Sequence, residues 1–412
     1  MTQRIAITGL GVLSPIGNGH AEFWQKLIDG TVGTGPIRAF DTSIFDTHNG
    51  GEVRDFNPAP YFRVLAPETC GRTTQLAVAA ARMAVADAEL SNADYQPERI
   101  GVCMGTTMGN ESIVEEENNR RIYGSPALSE TLTSHYAATY ITAAIAQELA
   151  VEGPCHVLPT ACAAGNYAIG WGMDMMRDGL VDVAIVGGAD AISRGCFAVF
   201  HRLGGIADEV CQPFDRNRTG MLVSEGAGVI VLEDYEKAVA RGARIYAELL
   251  GYGLACDAHH PTAPHPDGLG AQAAMRRALQ ETNLAPEAVS YISAHGTGTH
   301  ANDASESLAV RKVFGATADH LPVSSIKSML GHTMGAASAI EAVACALTIY
   351  CGVIPPTVNY QESDPACLQE VVPNQARTGP VEVVMSNSFA FGGNISTIVM
   401  KRAEQWQNMM GQ

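Results

Sequence analysis

Val157-Leu158-Pro159-Thr160-Ala161-Cys162-Ala163-Ala164-Gly165 takes a short apolar strand into a helix of small residues, with a cysteine at the join. A thiol at a helix start faces unpaired backbone N–H groups and the positive end of the helix dipole, and both favour thiolate over thiol. Farther along come Ala294-His295-Gly296-Thr297-Gly298-Thr299 and Lys327-Ser328-Met329-Leu330-Gly331-His332, two histidines on glycine-bearing turns just after strands. One cysteine answered by two histidines points to covalent acyl chemistry. A buried cysteine is ordinarily a small hydrophobe, and the other nine of the ten here are read that way. No carboxylate or second cysteine lies close in sequence to any of the three residues, so no metal site is expected.

The strand before Cys162 is one of many. Apolar runs predict strands at residues 4–9, 99–105, 155–160, 181–187, 226–233, 246–254, 289–294, 322–325, 381–386 and 395–401. Helical patterns fall at 73–90, 163–178, 268–282, 304–313 and 335–351. Strands alternating with helices of this length predict an α/β fold with largely parallel sheets. An internal echo suggests duplication. Cys162 and His332 are each followed three residues later by glycine (Gly165, Gly335) and an apolar helix, then by a strand, 181–188 in one case and Val353-Ile354 in the other. Two halves, 1–240 with the cysteine and 241–412 with both histidines, would bring the two helix starts to one cleft. No Pro-, Ser- or charge-rich linker separates them, so one body is expected. The apolar strand 181–187 is the expected sheet edge at a two-fold.

Composition narrows the classes. A formal charge of −17 and the lack of any Lys/Arg-rich run argue against nucleic-acid binding. An acidic partner would therefore need a local basic patch. The chain opens directly on a strand, and its cysteines form no CxxC pair. The expectation is a cytoplasmic enzyme with reduced thiols and no leader. The apolar stretch 336–354 is interrupted by Glu341 and runs into Pro355-Pro356, so it is read as a buried helix and not a membrane span. Gly9-Leu10-Gly11 is no dinucleotide fingerprint, because Ser14 stands where a third glycine is needed. The loop Asp257–His265 holds three histidines, but its prolines impose an extended course and no metal is expected there.

Taken together, Thr160–Gly165, Ala294–Thr299 and Gly331-His332-Thr333-Met334-Gly335-Ala336 resemble the three catalytic blocks of the elongating β-ketoacyl-acyl-carrier-protein synthases of the thiolase superfamily. The likeness extends to Gly9-Leu10-Gly11 with Ser14–Gly17, Pro213-Phe214-Asp215-Arg216, Glu225–Gly228 and Asn387–Gly393, and so covers nearly the whole chain. The nearest subgroup is the single-domain, type II-like synthases. The resemblance implies a thiolase-like duplicated α/β/α/β/α layered fold with two mixed, mostly parallel sheets. It also implies a decarboxylative Claisen condensation of an acyl-enzyme with malonyl carrier protein. Substrates would ride on the phosphopantetheine of an acyl carrier protein, with no bound cofactor.

The same resemblance assigns roles. Cys162 would take the acyl group, and neutral His295 and His332 would stabilise the enolate through Nε2–H. The backbone N–H groups of Cys162 and Phe391 would form an oxyanion hole. Phe389, Phe391 and Gly392 would belong to a gate. Lys327, paired with Glu341, would keep order around the second histidine, with Asp303 and Glu306 in support. Thr297, Thr299 and His260 would contact the pantetheine arm near the channel mouth, and Arg63, Arg72, Arg120, Arg121 and Arg202 would dock the carrier. Surface solvation or helix capping is the competing explanation for each charged residue.

Departures from the family pattern are visible. Ala390 replaces the middle glycine of the gate turn, reducing its freedom, and Asn394-Ile395 replace Thr-Asn. The stretch 203–214 is short. With Ala163-Ala164, these features lean toward a specialised polyketide or polyene pathway. A thiolase would need a second cysteine where Phe391-Gly392-Gly393 stands, and an initiating synthase would carry asparagine in place of one histidine. A chain-length factor, the inactive relative, usually lacks the nucleophile. A homodimer, or the active half of a heterodimer with such a factor, is expected.

Overall fold

Apolar runs, buried on both faces, form the strands of the computed structural model, which describes residues 3–90, 95–124 and 127–404. The first half contributes β1 (Ile5–Ser14), β2 (Ile100–Gly105), β3 (Cys155–Leu158), β4 (Val183–Asp190) and β5 (Gly226–Asp234). The second contributes β6 (Ala247–Cys256), β7 (Tyr291–Ser293), β8 (Val323–Ser324), β9 (Val383–Phe389) and β10 (Asn394–Lys401). The helices that matter here are α1 (Arg72–Asp87), α2 (Glu111–Ile122), α3 (Ala164–Arg177), α4 (Arg194–Arg202), α5 (Leu269–Thr282), α6 (His300–Phe314) and α7 (Ala337–Cys351).

The duplication is explicit in the pairing. One half runs β1-β5-β4-β2-β3 and the other β6-β10-β9-β7-β8. In each, the first two pairings are antiparallel and the last two parallel. Parallel pairing is thus confined to the outer three strands of each half, where helical crossovers supply the return path. Of the antiparallel pairs, β9 and β10 are joined by a tight turn, whereas β1 with β5 and β6 with β10 are long-range. The two sheets meet edge to edge, since Ile5, Ala6 and Ile7 of β1 pair with Leu249, Glu248 and Ala247 of β6.

Three cores define the layers. The α1 helix packs on the outer face of the first sheet with Leu76, Val78, Val229 and Val231. The α5 and α6 helices cover the outer face of the second with Met275, Leu279, Val310 and Met385. Between the sheets lies the central core, where α3 and α7 meet. They approach so closely that a Cβ on Gly165 would stand 2.6 Å from the Ala339 nitrogen. The segment Met334–Cys351 is apolar and long enough to cross a membrane by composition, and 89% of it is buried inside the fold.

Three expectations are corrected. The sheet is mixed and not mostly parallel, since the two five-stranded halves join into one continuous sheet whose ten strands make five antiparallel and four parallel pairings. The strand matching β4 in the second half is β9, whereas Val353–Ile354 pairs only with Arg377–Thr378 in a separate two-stranded sheet. The Pro355-Pro356 pair stops the earlier run before it reaches the main sheet. The 181–187 segment is no edge either, because β4 lies between β5 and β2. The free edge of that half belongs to β3, whose Cys155 and His156 are exposed.

Candidate active site

Cys162 occupies a single 3-10 turn, Ala161–Ala163, that joins the loop after β3 to α3. Ala161 takes a left-handed φ of 50°, an uncommon conformation for a residue with a Cβ, so the chain turns sharply just before the sulfur. The second half holds this turn. Ser388 Oγ at the end of β9 donates to the Cys162 carbonyl at 2.9 Å, and Ser338 Oγ of α7 accepts from Asn166 N–H at 3.0 Å.

The thiol is 5% exposed. Burial pushes it up to about 12, opposed first by Lys327. The Asp190 charge adds to the rise, while the backbone N–H groups of Cys162 and Phe391, which face the sulfur, favour its anion. The helix-start donors are aligned on the sulfur and favour its anion, and desolvation opposes them.

His295 follows β7. Glu306 of α6 grips its turn, accepting from the backbone N–H of His295 at 2.9 Å and of Gly296 at 2.8 Å. Burial pushes the Glu306 carboxyl up to about 7, although both amides pull it down. Asp303 accepts from Phe214 N–H at 2.8 Å and lies 3.5 Å from the buried Arg218 guanidinium. It ties the Pro213–Arg216 segment to the histidine turn, and burial raises its pKa. Both acids thus act on backbone, at a distance from the reacting atoms.

Lys327 lies at the start of the short helix that leads from β8 to His332. Its Nζ donates to the His295 carbonyl at 2.7 Å and to Glu341 Oε1 at 2.5 Å, and stands 3.4 Å from His295 Nδ1. The ammonium leaves His295 Nδ1 unprotonated and puts the ring proton on Nε2. His332 reaches the same tautomer by another route, because its Nδ1 accepts from Met334 N–H at 3.1 Å. Burial first, and Lys327 second, hold both imidazoles well below the usual range, with His332 adding to the effect on His295. The rings stand 5.5 Å apart, nearly perpendicular at 83°. The sequence expectation named Lys327 as a partner of the second histidine, but its direct contacts are with the first.

Cys162, His295 and His332 line one cavity of about 340 Å³. Thr297 and Thr299 also line it, with their hydroxyls 2.9 Å apart. Pro261 to Pro264 and the exposed His260 line it too. The His260 Nδ1 accepts from Thr262 and Ala263 N–H, both at 3.1 Å. Phe389 is buried against His295 with ring centroids 5.5 Å apart, while Phe391 is 38% exposed. Among the described residues no group of three or more His, Cys, Asp and Glu is arranged to hold a metal.

Ala390 sits in extended backbone at φ −130° and ψ 155°, so the alanine that departs from the family pattern fits without strain. The left-handed positions of the turn are Gly392 and Gly393, at φ 79° and 78°. Of the basic candidates, Arg72 is spent inside the fold, on Glu225 at 2.9 Å, on the Val53 carbonyl and over the Phe56 ring. Arg120 pairs with Glu117 of its own helix at 2.8 Å. Arg63, Arg121 and Arg202 are exposed.

Asp190, at the end of β4, is absent from the sequence-based expectations. It is fully buried and accepts from Thr106 Oγ1, Thr107 N–H, Met108 N–H and Gly335 N–H at 2.6–2.9 Å. Burial pushes its carboxyl up to about 6, although these bonds pull the other way. It clamps the loop after β2 to the segment that follows His332. The one available signal was a carboxylate closing an otherwise apolar strand.

The model of the β-ketoacyl synthase N-terminal domain matches residues 2–238, and that of the C-terminal domain matches 246–361. The chain is similar to 3-oxoacyl-[acyl-carrier-protein] synthase 2 of Synechocystis sp., at 39% identity over 97% of this chain and 98% of that one. It is equally similar to the tetracenomycin polyketide synthase ketoacyl synthase alpha subunit of Streptomyces glaucescens, at 39% identity over 98% of each chain. The solved ishigamide ketosynthase/chain length factor superposes with a TM-score of 0.94 at 44% identity, covering 98% of this chain and 100% of that one.

Proposed function

The chain belongs to the β-ketoacyl synthase family, and from that premise we propose that Cys162, His295 and His332 carry out its decarboxylative condensation on thioesters delivered by an acyl carrier protein. The enzyme is an acyltransferase, a β-ketoacyl-acyl-carrier-protein synthase of fatty acid or polyketide elongation. The observation that carries the assignment is the single cavity shared by one buried sulfur and two imidazoles, whose Nδ1 atoms face Lys327 Nζ and Met334 N–H.

In the first half-reaction the sulfur attacks the carrier thioester, a carbon–sulfur bond to Cys162 forms, and the carrier thiol leaves with the proton. The amides of Cys162 and Phe391 stabilise the tetrahedral oxyanion. In the second, malonyl carrier protein loses carbon dioxide, and the Nε2–H groups of His295 and His332 hold the enolate charge. Its carbon attacks the acyl carbonyl and releases the Cys162 sulfur. Lys327 and Glu341 fix the His295 tautomer and turn, Glu306 and Asp303 fix its backbone, and Thr297, Thr299 and His260 line the path of the pantetheine arm. Phe389, Phe391 and Gly392 form the gate. Arg63, Arg121 and Arg202 remain the docking candidates.

Residues 1–240 form the half that carries the nucleophile and 241–412 the half that carries both imidazoles. A cytoplasmic setting is supported by the ten free thiols. The name of the ishigamide relative supports a second assembly reading, in which this chain is the active partner of a chain-length factor. The function is tested with Cys162→Gln, whose amide imitates the acyl-cysteine. It should release carbon dioxide from malonyl carrier protein without forming a ketoacyl product, and a lack of carbon dioxide release would reject the two-histidine enolate site.

A further inference from the structure

The Ala390–Gly393 turn brings the Phe391 amide to Cys162. Ala390 is extended, and Gly392 and Gly393 take left-handed conformations. Backbone supplies part of the hold. Gly392 N–H donates to the Pro261 carbonyl at 2.8 Å, Ala390 N–H to the Asn394 carbonyl at 2.8 Å, and Asp257 N–H to the Gly393 carbonyl at 2.9 Å. These bonds fix the turn on its Asp257–Pro261 side and leave the Phe391 side chain without a polar tether.

On the other side lies Phe200, in the last turn of α4. Its ring is 7% exposed and packs against Phe391 with centroids 5.5 Å apart and planes 30° from parallel. Both rings line the cavity that holds Cys162. The α4 helix is itself well anchored. Ser193 caps it, accepting from Cys196 N–H at 3.0 Å, and Phe197 is fully buried against Phe40 and Phe45. A rigid helix therefore offers a flat aromatic face to the one exposed side chain of the turn.

We propose that Phe200 is a positioning residue for the acyl-transfer half-reaction, its ring holding the Phe391 amide over the Cys162 sulfur by stacking on the Phe391 ring. The inference rests on the reading of Phe391 N–H as an oxyanion donor. It goes beyond that reading in naming what keeps the donor in place. The stack should matter where the tetrahedral oxyanion forms and not where the two histidines hold the enolate, since neither His295 nor His332 touches it.

The experiment compares the two half-reactions in Phe200→Leu and Phe200→Tyr. Leucine keeps apolar volume but loses the ring face, and tyrosine keeps the face. Transfer of a two-carbon acyl group from carrier protein to Cys162, followed by intact-protein mass spectrometry, should slow about fivefold in Phe200→Leu, the factor an aromatic pair commands. It should return to within about twofold of the parent in Phe200→Tyr. Carbon dioxide release from malonyl carrier protein, measured in the Cys162→Gln background with and without Phe200→Leu, should agree within about twofold. Equal acylation rates in the parent and Phe200→Leu would overturn the inference, as would an equal fall in both half-reactions. Failure of the parent enzyme to acylate at Cys162 would overturn the proposed function instead.

Discussion

The two helix starts at the centre of the molecule share a topology and put it to different uses. Both α3 and α7 follow a 3-10 turn entered through a left-handed non-glycine residue, Ala161 in one case and Met334 in the other. At α3 the Cys162 amide, joined by that of Phe391 from the gate turn, faces a sulfur. At α7 the amides face inward onto protein acceptors, Met334 N–H onto His332 Nδ1 and Gly335 N–H onto Asp190. The first arrangement leaves donors for a charge that appears only during reaction. The second spends its donors in the resting state to fix an imidazole tautomer. A duplicated fold thus yields an electrophile-binding end and a proton-placing end from the same backbone device.

The comparison breaks most sharply if the two ends do not separate functionally. Cys162→Ala should lose acyl-enzyme formation by roughly a thousandfold or more, and intact-protein mass spectrometry still showing acylation elsewhere would refute it. His332→Ala should lower elongation by about a hundred- to a thousandfold, the usual cost of one oxyanion donor, while Cys162 still accepts acyl groups. Loss of both steps together would mean that the second end does more than stabilise an enolate.

Smaller effects sharpen the picture. Asp190→Asn turns an acceptor into a donor facing backbone amides, and should cost about 1–3 kcal/mol in denaturant unfolding. It also removes a negative charge that raises the thiol, so the pH midpoint for alkylation of Cys162 should move down from that of the parent. A midpoint that stays put or rises would show that the charge is not felt there. The pH response should be smallest of all. Both histidines are held below 6.5, so carbon dioxide release by Cys162→Gln should stay flat from about pH 8 down to 6.5. Folding favours the neutral rings, so they contribute stability above 6.5 that is lost as the pH falls below it, which thermal melts can follow. Inflection of the release rate near neutral pH would contradict the neutral-imidazole site.

The three side chains proposed to react and the layered α/β architecture could be read from the sequence because each rests on short-range pattern. A small-residue helix after a strand, a glycine-flanked histidine and an apolar run are each contained in a few consecutive residues. What escaped was set by distance. Asp190 becomes informative only when Thr106 and Gly335 converge on it, and Phe200 only when α4 meets the gate turn. The burial that opposes the Cys162 thiolate escaped for a related reason, since a helix start can be read from sequence but the depth at which it is buried cannot. Arg72 looked like a surface cation until Glu225 and Phe56 closed around it.

The seam between the sheets bears on how the protein is made. Ile5 pairs with Asp234 on one side and with Leu249 on the other, so both of its strand partners are distant in sequence. Until those distant partners arrive, a mostly apolar strand carries two unsatisfied edges, the condition under which chains stick to one another. Folding, more than the finished molecule's stability, is then the stage at which this chain is most exposed to aggregation.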